Sequence, residues 1–331
     1  MDALTGVDVP EPGQPAPGQV LVRVRAASLN YRDLMMVNGL YNPKQPLPLV
    51  PLSDGAGEVV AVGDGVTRWK VGDRVMGAFT QDWHGGAFRA EYWQTSTLGG
   101  PLPGMLREYV TLAESGLVRT PEHLSDEEAA TLPCAAVTAW HALFVSGDLR
   151  AGQTVLTQGT GGVSLFALQF AKLAGARVIA TSSSDAKLAR AKELGADETI
   201  NYKTTPEWGV AARALTENQA GVDHVVEVGG TGTLPQSFAA AKAGGHIALI
   251  GVLTARDAPP IDPVPILRKA LTVRGILVGS REMFEEMSLA IGQAKLKPVI
   301  DRVFPFTQAR AALEHLAGGS HFGKIVIRVA P

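Results

Sequence analysis

The chain has 331 residues, 46% hydrophobic and 19% charged, with a formal charge of −2 and a pI near 6.4. The length suits two domains with cores of their own, and the absence of a basic excess excludes a phosphate-polymer binder, so no nucleic-acid partner is expected. A single cysteine, Cys134, excludes an intramolecular disulfide and any site built from several thiolates.

No basic segment followed by an apolar core opens the sequence, and no run of about 18 apolar residues occurs. A cytoplasmic protein without a membrane partner is expected. Val20–Ala26 alternates apolar and charged residues, as a half-buried strand does. Gly57–Val62 and 71–77 add short strands separated by Gly63-Asp64-Gly65. Short strands joined by glycine turns point to a barrel-like unit. Residues 79–106 show no period and read as a long excursion of functional interest. Ser125-Asp126-Glu127-Glu128 then starts a helix with a capping-box pattern.

From there strand and helix alternate. Strands are predicted at Thr154–Thr157, Arg177–Thr181, Val222–Val228, His246–Ile250 and Thr272–Leu277. Helices are predicted at Val163–Leu173, Asp185–Leu194, Thr233–Ala241 and Pro263–Ala270. This alternation implies a doubly wound parallel sheet. The tail reads as helix (282–294), extended chain (300–304), helix (307–317) and a last strand (324–329).

The sharpest motif is Thr154–Ser164, TVLTQGTGGVS. A buried strand enters Gly159-Thr160-Gly161-Gly162-Val163 and a helix opens directly after. The first glycine permits the tight turn, and the second lets backbone approach a pyrophosphate. The helix N-terminus offers unpaired N–H groups. Ser164 takes the third glycine position and is small enough for close helix–strand packing. The next strand ends on Ser182-Ser183-Ser184 rather than on the carboxylate that would receive ribose hydroxyls and repel a 2′-phosphate. With Lys187 and Arg190 nearby, the pattern favours NADP over NAD. Asp185 reads as the cap of the following helix.

Together these segments resemble the medium-chain dehydrogenase/reductase superfamily over nearly the whole chain. The resemblance rests on residues 27–33 (ASLNYRD), 53–59 (SDGAGEV), 71–75 (VGDRV), 132–140 (LPCAAVTAW), the glycine turn and 322–326 (FGKIV). It implies an α/β protein with a GroES-like β-barrel catalytic domain (1–120 and 281–331) and a Rossmann domain (121–280). Zinc-dependent relatives place a cysteine at Asn30 and a His-Glu pair at Ser53-Asp54; only Cys134 matches their ligand set. One thiolate cannot make the tetrahedral N/S site that zinc prefers, so no metal is expected. Cys134 then reads as a small residue near the nicotinamide.

The resemblance further implies Asn30 and Tyr41 as catalytic donors. Asn30 would bond the substrate oxygen or the cofactor, and Tyr41 would donate or relay a proton; the alternatives are a satisfied buried amide and a barrel-rim aromatic. Tyr31 is a fallback donor. Asp33 and Asp54 read as structural partners of loop amides or Arg32. Thr138, Val228, Gly229, Val252, Gly279 and Ser280 would line the cofactor, with Tyr202 at its 2′-phosphate and Lys324 reaching a phosphate. His84 is a lesser candidate for touching substrate, and Trp83 and Trp93 would wall the pocket or belong to the core. The expected function is zinc-independent, NADPH-dependent reduction of a quinone or α,β-unsaturated carbonyl, a small-molecule substrate. A zinc-free NADP-dependent alcohol dehydrogenase or carbonyl reductase and a non-enzymatic NADPH-binding structural or sensor protein are the alternatives. A homodimer is expected.

Overall fold

A computed structural model describes residues 4–251, 253 and 260–329. The chain divides into two compact units, Met1–Val137 with Gly279–Pro331, and Thr138–Val278. This division groups residues 121–137 with the first unit.

The first unit is built around β1 (Gln19–Ser28), the strand expected from the alternating pattern. Along one edge β1 pairs antiparallel with β2 (Asp54–Val62), which continues to β3 (Arg74–Gly77). α1 (Tyr31–Val37) follows β1, and α2 (Ala90–Thr95) lies inside the 79–106 excursion. Two strands that the sequence did not announce, β4 (Tyr109–Ala113) and β5 (Leu117–Arg119), complete the first part. β4 occupies the other edge of β1 at its start, Gln19–Arg23. Val20, Val22 and Val24 all point into the core with at most 1% of their surface exposed, each burial stabilising by roughly 1.5–3 kcal/mol.

The excursion is packed rather than loose. Trp83 is buried, donates to the Gly86 carbonyl at 3.1 Å, and meets Phe88 edge-on at 5.2 Å. It belongs to the core.

The helical stretch that leads into the second unit starts at α3 (Asp126–Ala129) with the expected capping box. Ser125 Oγ accepts the Glu128 N–H, and the Glu128 carboxylate accepts the Ser125 N–H. α4 (Val137–Trp140) follows between two wider, π-type turns.

The second unit is a six-stranded parallel sheet. Its strands are β6 (Thr154–Gln158), β7 (Arg177–Ser182), β8 (Glu198–Asn201), β9 (Val222–Glu227), β10 (Ala241–Leu249) and β11 (Thr272–Gly275). Their order is β11-β10-β9-β6-β7-β8, so the direction of winding reverses between β6 and β9. In an open α/β sheet that switch point is where ligands bind. The helices are α5 (Gly162–Leu173), α6 (Asp185–Glu193), α7 (Trp208–Ala214), α8 (Leu234–Ala240) and α9 (Val264–Arg268). β8 and α7 were not expected. Val225, Ile247, Leu156 and Phe238 form its core.

The tail returns to the first unit as α10 (Arg281–Ala294), β12 (Ile300–Pro305), α11 (Ala309–Ala317) and β13 (Lys324–Arg328). β13 takes the remaining half-edge of β1, pairing Ala26–Ser28 with Val326–Arg328. Ser28 thus faces Asp54 on one side and Val326 on the other. This register gathers residue 30, the start of β2 and the start of β13 at one end of the sheet. Among the described residues no helix is long and apolar enough to cross a membrane.

Candidate active site

The gathered end of the first unit holds a continuous polar chain. Asn30 follows β1 and precedes α1. Its Oδ1 accepts a hydrogen bond from Lys324 Nζ at 2.6 Å, and Lys324 also donates to the Leu29 carbonyl at 2.5 Å. Lys324 is 3% exposed. Asn30 Nδ2 donates to Ser53 Oγ at 3.3 Å, and Ser53 Oγ donates to Asp54 Oδ1 at 2.7 Å. The second Asp54 oxygen accepts the Cys134 N–H at 3.1 Å. The half-buried Asn30 side chain also turns an amide N–H toward the Asp54 carboxylate.

Burial pushes the Asp54 carboxyl up, opposed by the Lys324 charge and by the bonds from Asn30 and Ser53. Burial also pushes the Cys134 thiol far up, and the Asp54 charge adds to it. Asp33, fully buried, accepts the Asn30 N–H at 2.8 Å, and burial raises its carboxyl to about 6 against the pull of Arg32.

Tyr41 sits beside this chain. Its ring lies 5.0 Å from the Arg32 guanidinium and 6.0 Å from the Trp93 ring. Arg32 is pinned by the Leu98 and Gly100 carbonyls at 2.7 and 3.0 Å. Burial raises the Tyr41 hydroxyl, Arg32 lowers it, and Cys134 and Asp33 are close enough to raise it further. Tyr41 therefore holds its proton and shares the environment of Asn30. Tyr31 is exposed on α1. His84 lies in the loop whose carbonyls receive the first N–H groups of α10, and its Nε2 has no partner among the described residues.

Lys324 was expected to reach a phosphate. Its ammonium is instead held by Leu29 and Asn30, because β13 opens beside the end of β1. Ser280 was expected on the cofactor. Its Oγ accepts the Met283 N–H at 3.3 Å as the cap of α10, with 2% exposure. Gly279 is set by packing, since a Cβ there would come within 2.6 Å of Val137.

The donor set at residues 30, 53, 54 and 134 does not suit zinc. The amide oxygen is taken by an ammonium and both carboxylate oxygens are engaged, which leaves the Cys134 thiol as the one soft ligand among these four residues. Zinc requires several deprotonated N or S ligands. Among the described residues no three His, Cys, Asp or Glu side chains gather as a metal-binding group.

In the second unit the residues expected to hold a dinucleotide meet at the carboxyl ends of β6, β7 and β9. Gly159 adopts φ +71° and its N–H bonds the Thr181 carbonyl at 2.8 Å. A Cβ at Gly159 or Gly161 would meet nothing within 4 Å. Gly161 caps α5 with no side-chain hydrogen bond, so the first-turn N–H groups of Gly162 and Val163 have no intrahelical acceptor. Ser164 Oγ donates to the Gln158 carbonyl at 2.6 Å and ties helix to strand. At the end of β7, Ser182 is buried, and Ser183 and Ser184 are half-buried. Ser184, not Asp185, caps α6, accepting the Lys187 N–H at 3.4 Å. The Asp185 carboxylate instead accepts from Asn201 Nδ2 at 2.7 Å. Tyr202 is exposed, and its backbone N–H bonds the Ser182 carbonyl at 3.1 Å. Thr138 is buried, and Val252 lies outside the described residues.

Two residues that the sequence reading missed organise the switch point. Glu227, fully buried, accepts the Gly229 and Gly230 N–H groups at 2.8 and 2.9 Å, Thr233 Oγ1 at 2.6 Å, and Ser237 Oγ. Gln158 Nε2 donates to it at 2.6 Å, while Gln158 Oε1 accepts the Val228 and Gly229 N–H groups. A carboxylate at a strand end followed by Gly-Gly was the available signal.

Comparison with known proteins adds an independent observation. Residues 16–122 match the alcohol dehydrogenase GroES-like domain family, and residues 162–292 match the zinc-binding dehydrogenase family. A zinc-type alcohol dehydrogenase-like protein of Schizosaccharomyces pombe (strain 972) is 46% identical over 318 residues, covering 95% of this chain and 91% of that protein. Among solved structures, an NAD-dependent alcohol dehydrogenase is 36% identical with a TM-score of 0.87, covering 98% of this chain and 95% of that one. The quinone oxidoreductase from Coxiella burnetii is 30% identical with a TM-score of 0.79, covering 98% and 94%.

Proposed function

Because the chain belongs to the medium-chain dehydrogenase/reductase superfamily, and is thus an oxidoreductase of a family that binds a nicotinamide cofactor, we propose that it reduces a quinone or α,β-unsaturated carbonyl with NADPH and without zinc. The observation that carries this reading is Asn30. It stands at the position of a zinc ligand in metal-dependent relatives, yet its amide oxygen is bonded to an ammonium, which strengthens its N–H groups as donors. The non-catalytic alternative is set aside by the family's enzymes.

NADPH, when bound, supplies a hydride to an electrophilic carbon. Negative charge then gathers on the substrate oxygen, and the Asn30 N–H stabilises it there. Tyr41, whose burial keeps the hydroxyl protonated, is the proton source. The Ser182–Ser184 end of β7 supports NADPH because it offers hydroxyl donors where NAD enzymes offer a carboxylate. The nearby Asp185 carboxylate is occupied by Asn201.

The test is turnover of NADPH with 2-cyclohexenone and with a benzoquinone by chelator-treated protein. Saturated ketone or hydroquinone is expected; allylic alcohol would move the reading to carbonyl reduction, the alternative that the alcohol dehydrogenase relatives favour. Asn30→Ala is expected to lower kcat by about 100-fold. An unchanged kcat in that variant would remove Asn30 from the mechanism.

A further inference from the structure

We propose that Lys324 is the positioning residue that supplies this site with the fixed positive charge that metal-dependent relatives obtain from zinc, delivering it through the Asn30 amide. The inference rests on the reading of Asn30 as the donor to the substrate oxygen.

Three observations support it. Lys324 is almost wholly buried, and although its charge acts on the buried Asp54 and Asp33 carboxyls, among the described residues it makes no direct ion pair and donates only to neutral oxygens. An ammonium in that setting is costly, and an apolar side chain of equal length would be the better choice for stability alone. Retaining the charge points to a use beyond packing.

The second observation is direction. Lys324 donates to Asn30 Oδ1, Asn30 Nδ2 donates to Ser53 Oγ, and Ser53 Oγ donates to Asp54 Oδ1. Every donor points from the cation toward the carboxylate, so each bond polarises the next. A cation on the amide oxygen draws electron density from the amide nitrogen. The Asn30 N–H groups, which face Ser53 and Asp54 in the resting site, become stronger donors, and a developing oxyanion that displaces one of these partners receives a charge-assisted hydrogen bond.

The third is exclusion. Oδ1 of Asn30 is occupied by the ammonium, and both oxygens of Asp54 are engaged by Ser53 and the Cys134 N–H. A divalent cation placed among these groups would lie against Lys324 and be repelled. The lysine thus serves both as the charge and as the barrier to a metal.

The test is Lys324→Met, which keeps the length and removes the charge. NADPH affinity, read by fluorescence titration, is expected to stay within about twofold, because the dinucleotide cradle belongs to the other unit. Turnover is expected to fall about 10–100-fold in kcat with substrate KM changed less than about threefold, the scale of losing support behind a site's direct donor. If Lys324→Met keeps kcat within about threefold while Asn30→Ala loses it, the Lys324 assignment is overturned and the Asn30 reading stands. If neither variant loses kcat, the Asn30 reading falls with it. Should Lys324→Met not fold, the wild-type protein decides: titrated with cobalt(II), it is expected to show no thiolate-to-cobalt charge-transfer absorption. Stoichiometric absorption of that kind would contradict the lysine-for-metal assignment.

Discussion

Asp33 shows how one buried group sets a measurable pH dependence. Its carboxyl rises from 3.8 to about 6 in the folded protein because burial disfavours the anion. Folded protein therefore holds more protons than unfolded protein between those values, and the native state loses stability as pH rises through that window. A shift of this size is worth about 3 kcal/mol. Asp33→Asn removes that dependence while retaining a side-chain oxygen for the Asn30 N–H. Urea unfolding midpoints of the variant, relative to wild type, are expected to improve as pH rises from 4 to 6 and to level off above. A wild-type/variant difference that is flat across this window would show that Asp33 ionises normally. Asp54 is pushed in the same direction, so only the difference between the two proteins isolates Asp33.

Gly161 separates ligand from fold at the same scale. Its φ of −79° is ordinary, and a Cβ there would touch nothing in the protein. Gly161→Ala should leave the melting temperature within about 2 °C, since surface substitutions away from special features lie near ±0.5 kcal/mol. It should weaken NADPH binding at least about tenfold, because the methyl group would occupy the approach of the pyrophosphate. Equal weakening of stability and affinity would make this glycine a structural one.

Among the elements, the switch point between β6 and β9 depends on Glu227. Its carboxylate collects two backbone N–H groups, two hydroxyls and an amide. Glu227→Ala leaves the buried Gly230 N–H without its acceptor and removes the partner of Gln158 Nε2 and of two hydroxyls, at a cost of about 3 kcal/mol. Chemical denaturation should read that loss, with no change in slope.

At the opposite ends of β9 and β10, burial lowers His224 from 6.5 to about 4, and the neighbouring His246 adds to the effect. Here the unfolded chain binds more protons, so stability is complete above pH 6.5 and is lost as pH falls toward 4. His224→Gln should flatten that acid limb, as thermal melts at pH 4.5 and 7 would report.

The elements also show what a sequence can disclose. β6, the glycine turn and α5 were legible because strand, turn and helix signals follow one another within twenty residues. β8 was not, because Glu198–Asn201 buries only Ile200 and carries no alternation. β4 and β5 were missed for a related reason: they are short and are defined by pairing with β1 and β3. Asn30 was found from its motif, but its partner Lys324 lies 294 residues away. Only the register of β13 on β1 brings the two together, so the lysine read as a phosphate ligand. Ser280 misled for a local reason, since a serine after a glycine fits both a cofactor loop and a helix cap.

At the scale of the whole molecule, an oxidoreductase fold carries a polar chain where its metal-dependent relatives carry ligands, and a serine-lined strand end where NAD enzymes carry a carboxylate. These features lie in different units and are open to separate tests, the first by turnover and the second by binding. The most direct test of the central claim is a fluorescence titration of purified, metal-analysed protein with NADPH and with NADH. NADPH is expected to bind at least about tenfold tighter, about 1.4 kcal/mol, to protein that contains no stoichiometric zinc. Equal or tighter binding of NADH, or one zinc per chain, would contradict it.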